Sequence, residues 1–263
     1  MMRGLFSRRT ALAAAVEYSL LLALGAAAPA AYAAEVKVMS TVALAPTLGE
    51  LTPKYESGSG NKLTIIYSTI ADLKKRIEAG ETADVMILSR PVLDGLQTQG
   101  KVAQGSIVNL GRSYVAIGVR AGAPQPDIST AEKLKAALLA TKSISYADPA
   151  KGGASGVYFA KVLDRLGIAD QMKSKTVLVP NAQAGEFVAK GEVEMGVAQA
   201  SEIAAVPGTQ VIGPLPGDLH SEMIFSVGIG SMSKDPAAAK SLIELLTSPT
   251  GAAVLKSKGM DPV

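Results

Sequence analysis

Short apolar runs alternate along this chain with stretches in which apolar residues recur every three or four positions, the pattern of buried strands alternating with amphipathic helices. The runs at 36–40, 63–67, 85–88, 144–146, 176–179, 195–198 and 210–212 are too short for helices and predict buried strands. Several helix starts are readable between them. Thr69, with Asp72 three residues on, opens a helix whose Ile70, Leu73 and Ile77 share one face, and Ser129 with Glu132 reads as a capping box. Asp235-Pro236 and Ser248-Pro249 each place a cap residue before a proline at the first helical position. Pro53 falls inside the face formed by Leu44, Leu48, Leu51 and Tyr55, so the first helix is expected to kink or end early. The whole reads βαβα, an α/β chain with mixed, largely parallel sheets.

Two apolar runs are longer, 113–120 (SYVAIGVR) and 223–230 (MIFSVGIG), and both lie between blocks of alternating elements. They are the natural places for the chain to cross from one lobe to another and back. This predicts lobe one as 34–113 plus 222–263 and lobe two as 114–221, with a single open sheet as the alternative.

Residues 1–33 follow a different logic. Arg3, Arg8 and Arg9 make a basic head, 20–24 an apolar middle, and Ala31-Tyr32-Ala33 a small-x-small cleavage site, the three parts of a bacterial secretory signal. Glu17 interrupts the apolar stretch, and the run after it is shorter than the roughly 20 residues of a spanning helix. The mature chain is expected to begin near Ala34, in the periplasm. The adjacent Arg8 and Arg9 allow a twin-arginine route as well as the general secretory one.

Of the formal net charge of +3, the leader supplies three arginines against Glu17, which leaves the exported part nearly neutral. With no arginine-rich stripe, nucleic acid is not an expected partner. Cysteine is absent, which excludes disulfides, thiolate metal sites and cysteine nucleophiles. No cluster of metal-ligating residues is apparent, and no cofactor motif: a phosphate-cradling loop with lysine, an HExxH pair and a GxSxG elbow are all missing. The single histidine, His220, lies in a Pro/Gly-rich connection, where a solvated loop residue is the ordinary reading. Asp148, Glu186 and Glu202 could act as bases, but their spacing does not separate them from surface charges.

The strand ends are more informative. Ser40-Thr41-Val42-Ala43, Ser68-Thr69, Gly152-Gly153-Ala154-Ser155, Asn181-Ala182-Gln183-Ala184 and Gln199-Ala200-Ser201 each lead from a strand through small or polar residues into a helix. In parallel α/β sheets the ligand crevice lies beyond such ends, where helix N-termini offer free N–H donors and partial positive charge. Any one of these turns is explained by capping alone; their recurrence in both lobes points to a shared anion-binding cleft.

AEVKVMSTVALAPTLGELTPKYE, LKKRIEAGETADVMILS and YADPAKGGASGVYFAKVLDRLGI resemble the molybdate-binding family of periplasmic solute receptors, over a range from Glu35 to the C-terminus. Arg76-Ile77-Glu78-Ala79-Gly80, Ala83-Asp84-Val85 and Ala147-Asp148-Pro149-Ala150 are its most specific stretches. The resemblance implies a type II, two-lobed periplasmic binding protein with two crossover strands. Such a protein acts as a monomer, closes on a small anionic ligand and delivers it to an ABC permease in the inner membrane. It also implies ligand contacts from Ser40, Thr41, Ala43, Ser68, Thr69, Ser155, Gln183 and Gln199. Four of these depart from the family pattern: Ala43 stands where a serine is usual, Thr69 lies in a reduced serine cluster, Gln199 replaces a tyrosine and Gln183 an apolar residue. Each glutamine brings a carbonyl as well as an amide, which favours a ligand with mixed hydrogen-bonding groups over a bare tetrahedral dianion. The chain also resembles aconitate isomerases built on the same receptor fold. That similarity implies an allylic proton shift in the cleft, with Tyr158, Glu186 or Glu202 as the base.

Overall fold

In the computed structural model, which describes residues 34–180 and 183–263, strands and helices alternate in the order the apolar pattern predicts. The expected leader at 1–33 and the turn residues Asn181 and Ala182 lie outside the described residues. The chain begins with β1 (Glu35–Thr41), α1 (Ala45–Ser59), β2 (Lys62–Ser68), α2 (Ile70–Glu78), β3 (Val85–Ser89) and α3 (Arg90–Thr98). The long β4 (Val108–Arg120) comes next, then α4 (Ala131–Ala140), β5 (Ile144–Ala147), α5 (Ala154–Arg165), α6 (Ala169–Lys173) and β6 (Thr176–Val179). After these come α7 (Ala184–Ala189), β7 (Met195–Gln199), α8 (Ala200–Ala204) and β8 (Thr209–Pro214). The chain closes with β9 (Glu222–Ile229), α9 (Pro236–Thr247), α10 (Pro249–Ser257) and β10 (Asp261–Pro262).

The strands run in the order β2-β1-β3-β9-β4-β7-β5-β6, with β8 and β10 also pairing β4. Pairing is parallel where a helix returns the chain, in β1 with β2 and β3 and in β5 with β6 and β7. It is antiparallel wherever β4 or β9 takes part. β4 serves two sets of neighbours: up to Tyr114 it pairs β9, and from Val115 it pairs β7 and β8. Residues 34–263 pack as one unit. Within it the buried side chains gather on either side of that change of partner. Val36, Leu48, Phe225 and Leu242 share one cluster, whereas Val115, Phe159, Leu163 and Val197 share another. No helix among the described residues is long and apolar enough to cross a membrane.

Most local expectations hold. The Thr69 hydroxyl accepts the N–H of Asp72 at 3.2 Å, and Asp235 and Ser248 cap α9 and α10 by accepting from Ala238 and Gly251. Three details differ. α1 continues through Pro53 to Ser59 rather than ending early. Gly49, whose carbonyl loses its partner to the proline, and Pro53 itself both face solvent, while Leu48, Leu51 and Tyr55 on the opposite face are buried. Water can satisfy the freed carbonyl, and burial of that face holds the helix together. The cap of α4 is Thr130, which accepts from Lys133 N–H, not Ser129. Ser129 instead donates its own N–H to Asp127 Oδ1 at 3.0 Å. β10, two residues long and containing a proline, has no periodicity by which the sequence could announce it.

Candidate functional site

Two turns approach from the side of β1 to β3. Thr41 ends β1 and leads through a 3-10 segment, Val42–Leu44, into α1; it is 3% exposed, and its side chain makes no cap bond. Thr69 follows β2 and caps α2.

Two more come from the other side. After β5, Asp148 caps a 3-10 turn by accepting Ala150 N–H at 2.9 Å, which gives this carboxylate a local structural task. Gly152 then takes φ +76°, and α5 begins with Ser155 in its first turn, where the residue is nearly buried. The flanking glycines are explained by packing. A β-carbon on Gly153 would lie 2.6 Å from that of Ala147, and one on Gly156 would run into the Ala147 carbonyl oxygen. Only glycine lets the start of α5 lie this close to the end of β5. The last turn is at the end of β7, where Gln199 leads into α8 and Glu202 occupies its first turn.

Thr41, Ala43, Thr69, Ser155, Gln199 and Glu202 line one hollow. Met223 and Phe225, alternate residues of β9, contribute apolar wall. The sequence does not single them out, because β9 is apolar on both faces and alternation carries no signal there. The hollow and the solvent at its mouth together take up ≈ 380 Å³, of which only ≈ 30 Å³ can hold the centre of a water molecule. That is room for a few waters at most, and a ligand of several atoms fits better once the walls part. A roomier hollow bounded by Val119, Pro124 and Met195 lies elsewhere, but the turns do not converge on it.

The remaining candidates do not line this hollow. Ser40 is fully buried, and its hydroxyl donates to the Thr41 carbonyl at 3.1 Å. Ser68 sits at the end of β2 beside Thr41 in the sheet. Gln183 precedes α7 and gives its carbonyl to the N–H of Glu186, whose side chain is exposed. Tyr158 donates its hydroxyl to the Leu219 carbonyl at 3.1 Å, tying α5 to the loop before β9. His220 stacks at a tilt on Tyr114 with ring centroids 5.9 Å apart, beside the two crossing strands.

The hollow's electrostatics come mostly from backbone. α2 and α5 both start at it, and their first-turn N–H groups have no partner within the helix. Among the described lining residues the one ionisable side chain is Glu202. Burial pushes its carboxyl up to about 7, against the opposing pull of the Gln199 N–H, which it accepts at 3.2 Å. The Gln199 side chain is 4% exposed, and its Oε1, set toward the Glu202 backbone N–H in a capping-box arrangement, is buried short of a full hydrogen bond. Such an atom costs free energy until a partner arrives.

The profile of the bacterial extracellular solute-binding protein family matches residues 36–261. An aconitate isomerase from Pseudomonas sp is 34% identical, over 86% of this chain and 87% of the relative. The molybdate-binding protein ModA of Azotobacter vinelandii is 28% identical, over 91% and 96% respectively. Among solved structures, the Azotobacter vinelandii periplasmic molybdate-binding protein superposes with TM-score 0.70 at 18% identity, covering 86% of this chain and 98% of that one. The sulfate-binding protein SubI from Mycobacterium tuberculosis H37Rv gives TM-score 0.68 at 19% identity, covering 88% and 87%. These likenesses establish a type II periplasmic binding-protein fold.

Proposed function

The chain belongs to the bacterial extracellular solute-binding protein family, and we propose that it captures a small oxyanion or small organic carboxylate in the hollow formed by its strand-end turns. It does so as a monomer in the periplasm, after loss of residues 1–33, and passes the ligand to an ABC permease in the inner membrane. The convergence of Thr41, Thr69 and Ser155 with the N-termini of α2 and α5 carries this reading. Hydroxyls and uncommitted N–H groups are donors, and a concave set of donors with two helix dipoles behind it favours an anion without any lysine or arginine. Lobe one, 34–113 plus 222–263, and lobe two, 114–221, hinge where β4 changes partners at Tyr114 and Val115. The test is a melting-temperature screen of the mature protein with molybdate, tungstate, sulfate, malate and aconitate. A ligand present at 100 times its Kd adds about 2.7 kcal/mol to stability, a rise of several degrees. No rise with any of them would sink the reading.

A second reading is favoured by Glu202. A half-buried carboxyl in an anion hollow is equipped to take a proton from the methylene carbon of a bound aconitate and return it to the far carbon of the allyl unit as the double bond shifts. Tyr158 and Glu186, one engaged with Leu219 and the other exposed, are poorly placed for this. The reading also draws on the aconitate isomerase relative. Interconversion of cis- and trans-aconitate, followed by ultraviolet absorbance without added cofactor, decides between receptor and enzyme.

A further inference from the structure

We propose that Glu202 makes anion capture in this hollow proton-coupled: the bound anion and Glu202 share one hydrogen, which the carboxyl O–H donates to a ligand oxygen. The inference rests on the anion-binding reading of the hollow and specifies which anions it accepts. Glu202 is the third residue of α8, and one of its oxygens, Oε2, accepts the Gln199 N–H, which fixes the side chain at the lining. Its other oxygen takes part in no ion pair among the described residues. The charged and titratable groups on the elements packed around α8 are Arg112, Tyr114 and Arg120 of β4 and Glu186 of α7; β7, β8 and the Val42–Leu44 turn carry none. Arg112 is taken by Glu222, Arg120 lies at the far end of β4, and Lys258 beyond α10 is taken by Glu50. Next to Glu202, the Gln199 side chain keeps its carbonyl oxygen buried and carries an amide NH2 that can donate.

Once deprotonated, Glu202 presents only acceptors to the hollow. A fully deprotonated tetrahedral dianion also presents only acceptors, so the two oppose each other unless a hydrogen lies between them. A protonated Glu202 supplies it, and an anion that keeps a carboxylic or alcoholic O–H brings its own. The remaining turns supply donors, so a ligand meets donors there and Glu202 at the wall formed by α8. The wall thus selects against bare dianions and for ligands that carry or recruit one proton.

Calorimetric titration of the mature protein with trans-aconitate, malate and molybdate, between about pH 6 and pH 9 in buffers of different ionisation enthalpy, tests this. All three ligands have finished their own titration across the upper part of that range. The wild type should take up close to one proton per trans-aconitate or molybdate at the upper end, and its affinity for them should fall about tenfold per pH unit there. Malate, which has its own hydroxyl, should show a shallower fall. Glu202→Gln still accepts the cap bond and offers a permanent N–H to the ligand, so its affinity should be flat with pH and without proton uptake. Flat affinity in the wild type, or equal proton uptake in the variant, would overturn the proposal while leaving the receptor reading intact. If none of the three anions binds at any pH, this inference fails; if sulfate and tungstate also leave the melting temperature unmoved, the reading of the hollow as an anion site fails with it.

Discussion

Gly152 and Ala71, each next to a residue that lines the hollow, meet so closely that a β-carbon on Gly152 would lie 2.8 Å from that of Ala71 and 3.9 Å from the Thr69 hydroxyl. One belongs to the turn before α5, the other to the first turn of α2, so the two sides of the site meet at the smallest residues of each. Gly152 also has φ +76°, where a side chain is strained. Gly152→Ala is expected to cost about 1 kcal/mol of stability from strain and, separately, to wedge the turns apart. Affinity for the ligand found in the melting screen should drop at least tenfold, on the order of 1.4 kcal/mol or more. Ala71→Gly added to that variant removes the opposing β-carbon and should recover most of the affinity but none of the stability. Equal affinity in all three proteins would mean that the turns do not close at this contact.

Thr69 and Ser155 both line the hollow but differ in what else they do. Thr69 caps α2 through Asp72 N–H, whereas Ser155 makes no cap bond in α5. Replacing either by Ala should weaken ligand binding by roughly five- to tenfold, the worth of one hydrogen bond. Only Thr69→Ala should also lower the unfolding free energy, by about 1 kcal/mol. Paired calorimetry and urea denaturation separate the two effects. A stability loss in Ser155→Ala as large as that in Thr69→Ala would mean that its hydroxyl serves the fold.

Such contrasts show what kind of information the chain carries locally. Caps at Thr69, Asp235 and Ser248 are legible because the bond closes within three residues, so local chemistry decides it. The same rule slips by one position at Ser129 and Thr130, two adjacent hydroxyls of which only Thr130 has the geometry to cap. Gln183 and Gln199 are identical as letters, each ending a strand-to-helix turn. One lines the hollow and the other does not, because inward or outward direction is set by how the helices seat on the sheet. In the sequence Glu202 is one acidic residue among several; only its partial burial beside Gln199 separates it from Glu186, which is exposed. Strand order around β4 and β9 rests on long-range pairing that leaves no local trace beyond two long apolar runs.

Asp84, which lies in one of the most specific stretches of the sequence resemblance, does not approach the hollow. It is 7% exposed and joins three segments: Oδ2 accepts Lys37 N–H at 2.9 Å, and Oδ1 accepts the Ser233 hydroxyl and Lys234 N–H, both at 2.8 Å. Burial pushes this carboxyl up, but the hydrogen bonds from Lys37, Ser233, Lys234 and Asp235 outweigh it and hold it below its ordinary value. A depressed folded-state value means that the contribution is complete above the ordinary carboxylate range and is lost as pH falls through the folded-state value. Asp84→Ala should therefore cost about 2–4 kcal/mol near neutrality, by leaving buried donors unpaired. The gap between variant and wild type should narrow in acid. Denaturation curves with the same gap at both pH values would rule out this role for the carboxylate.

Glu202 reverses the sign. Its carboxyl rises from the ordinary 4.5 to about 7 because burial disfavours the charge, so between those values the folded chain keeps a proton that the unfolded chain has already released. Stability must then fall as pH rises through that window and level off above it. The penalty at mildly alkaline pH is about 1–3 kcal/mol, since every tenfold change in proton affinity corresponds to about 1.4 kcal/mol and the side chain keeps some contact with solvent. Glu202→Gln preserves the capping arrangement and carries no charge, so it should be more stable than the wild type at about pH 8 and no more stable at about pH 4. Urea denaturation of both proteins in the absence of ligand reads this directly. A binding site that retains a destabilising group recovers the loss in function, here through the hydrogen that the carboxyl gives to a bound anion. If the two proteins unfold alike at both pH values, Glu202 is solvated and ordinary, and proton-coupled capture loses its source.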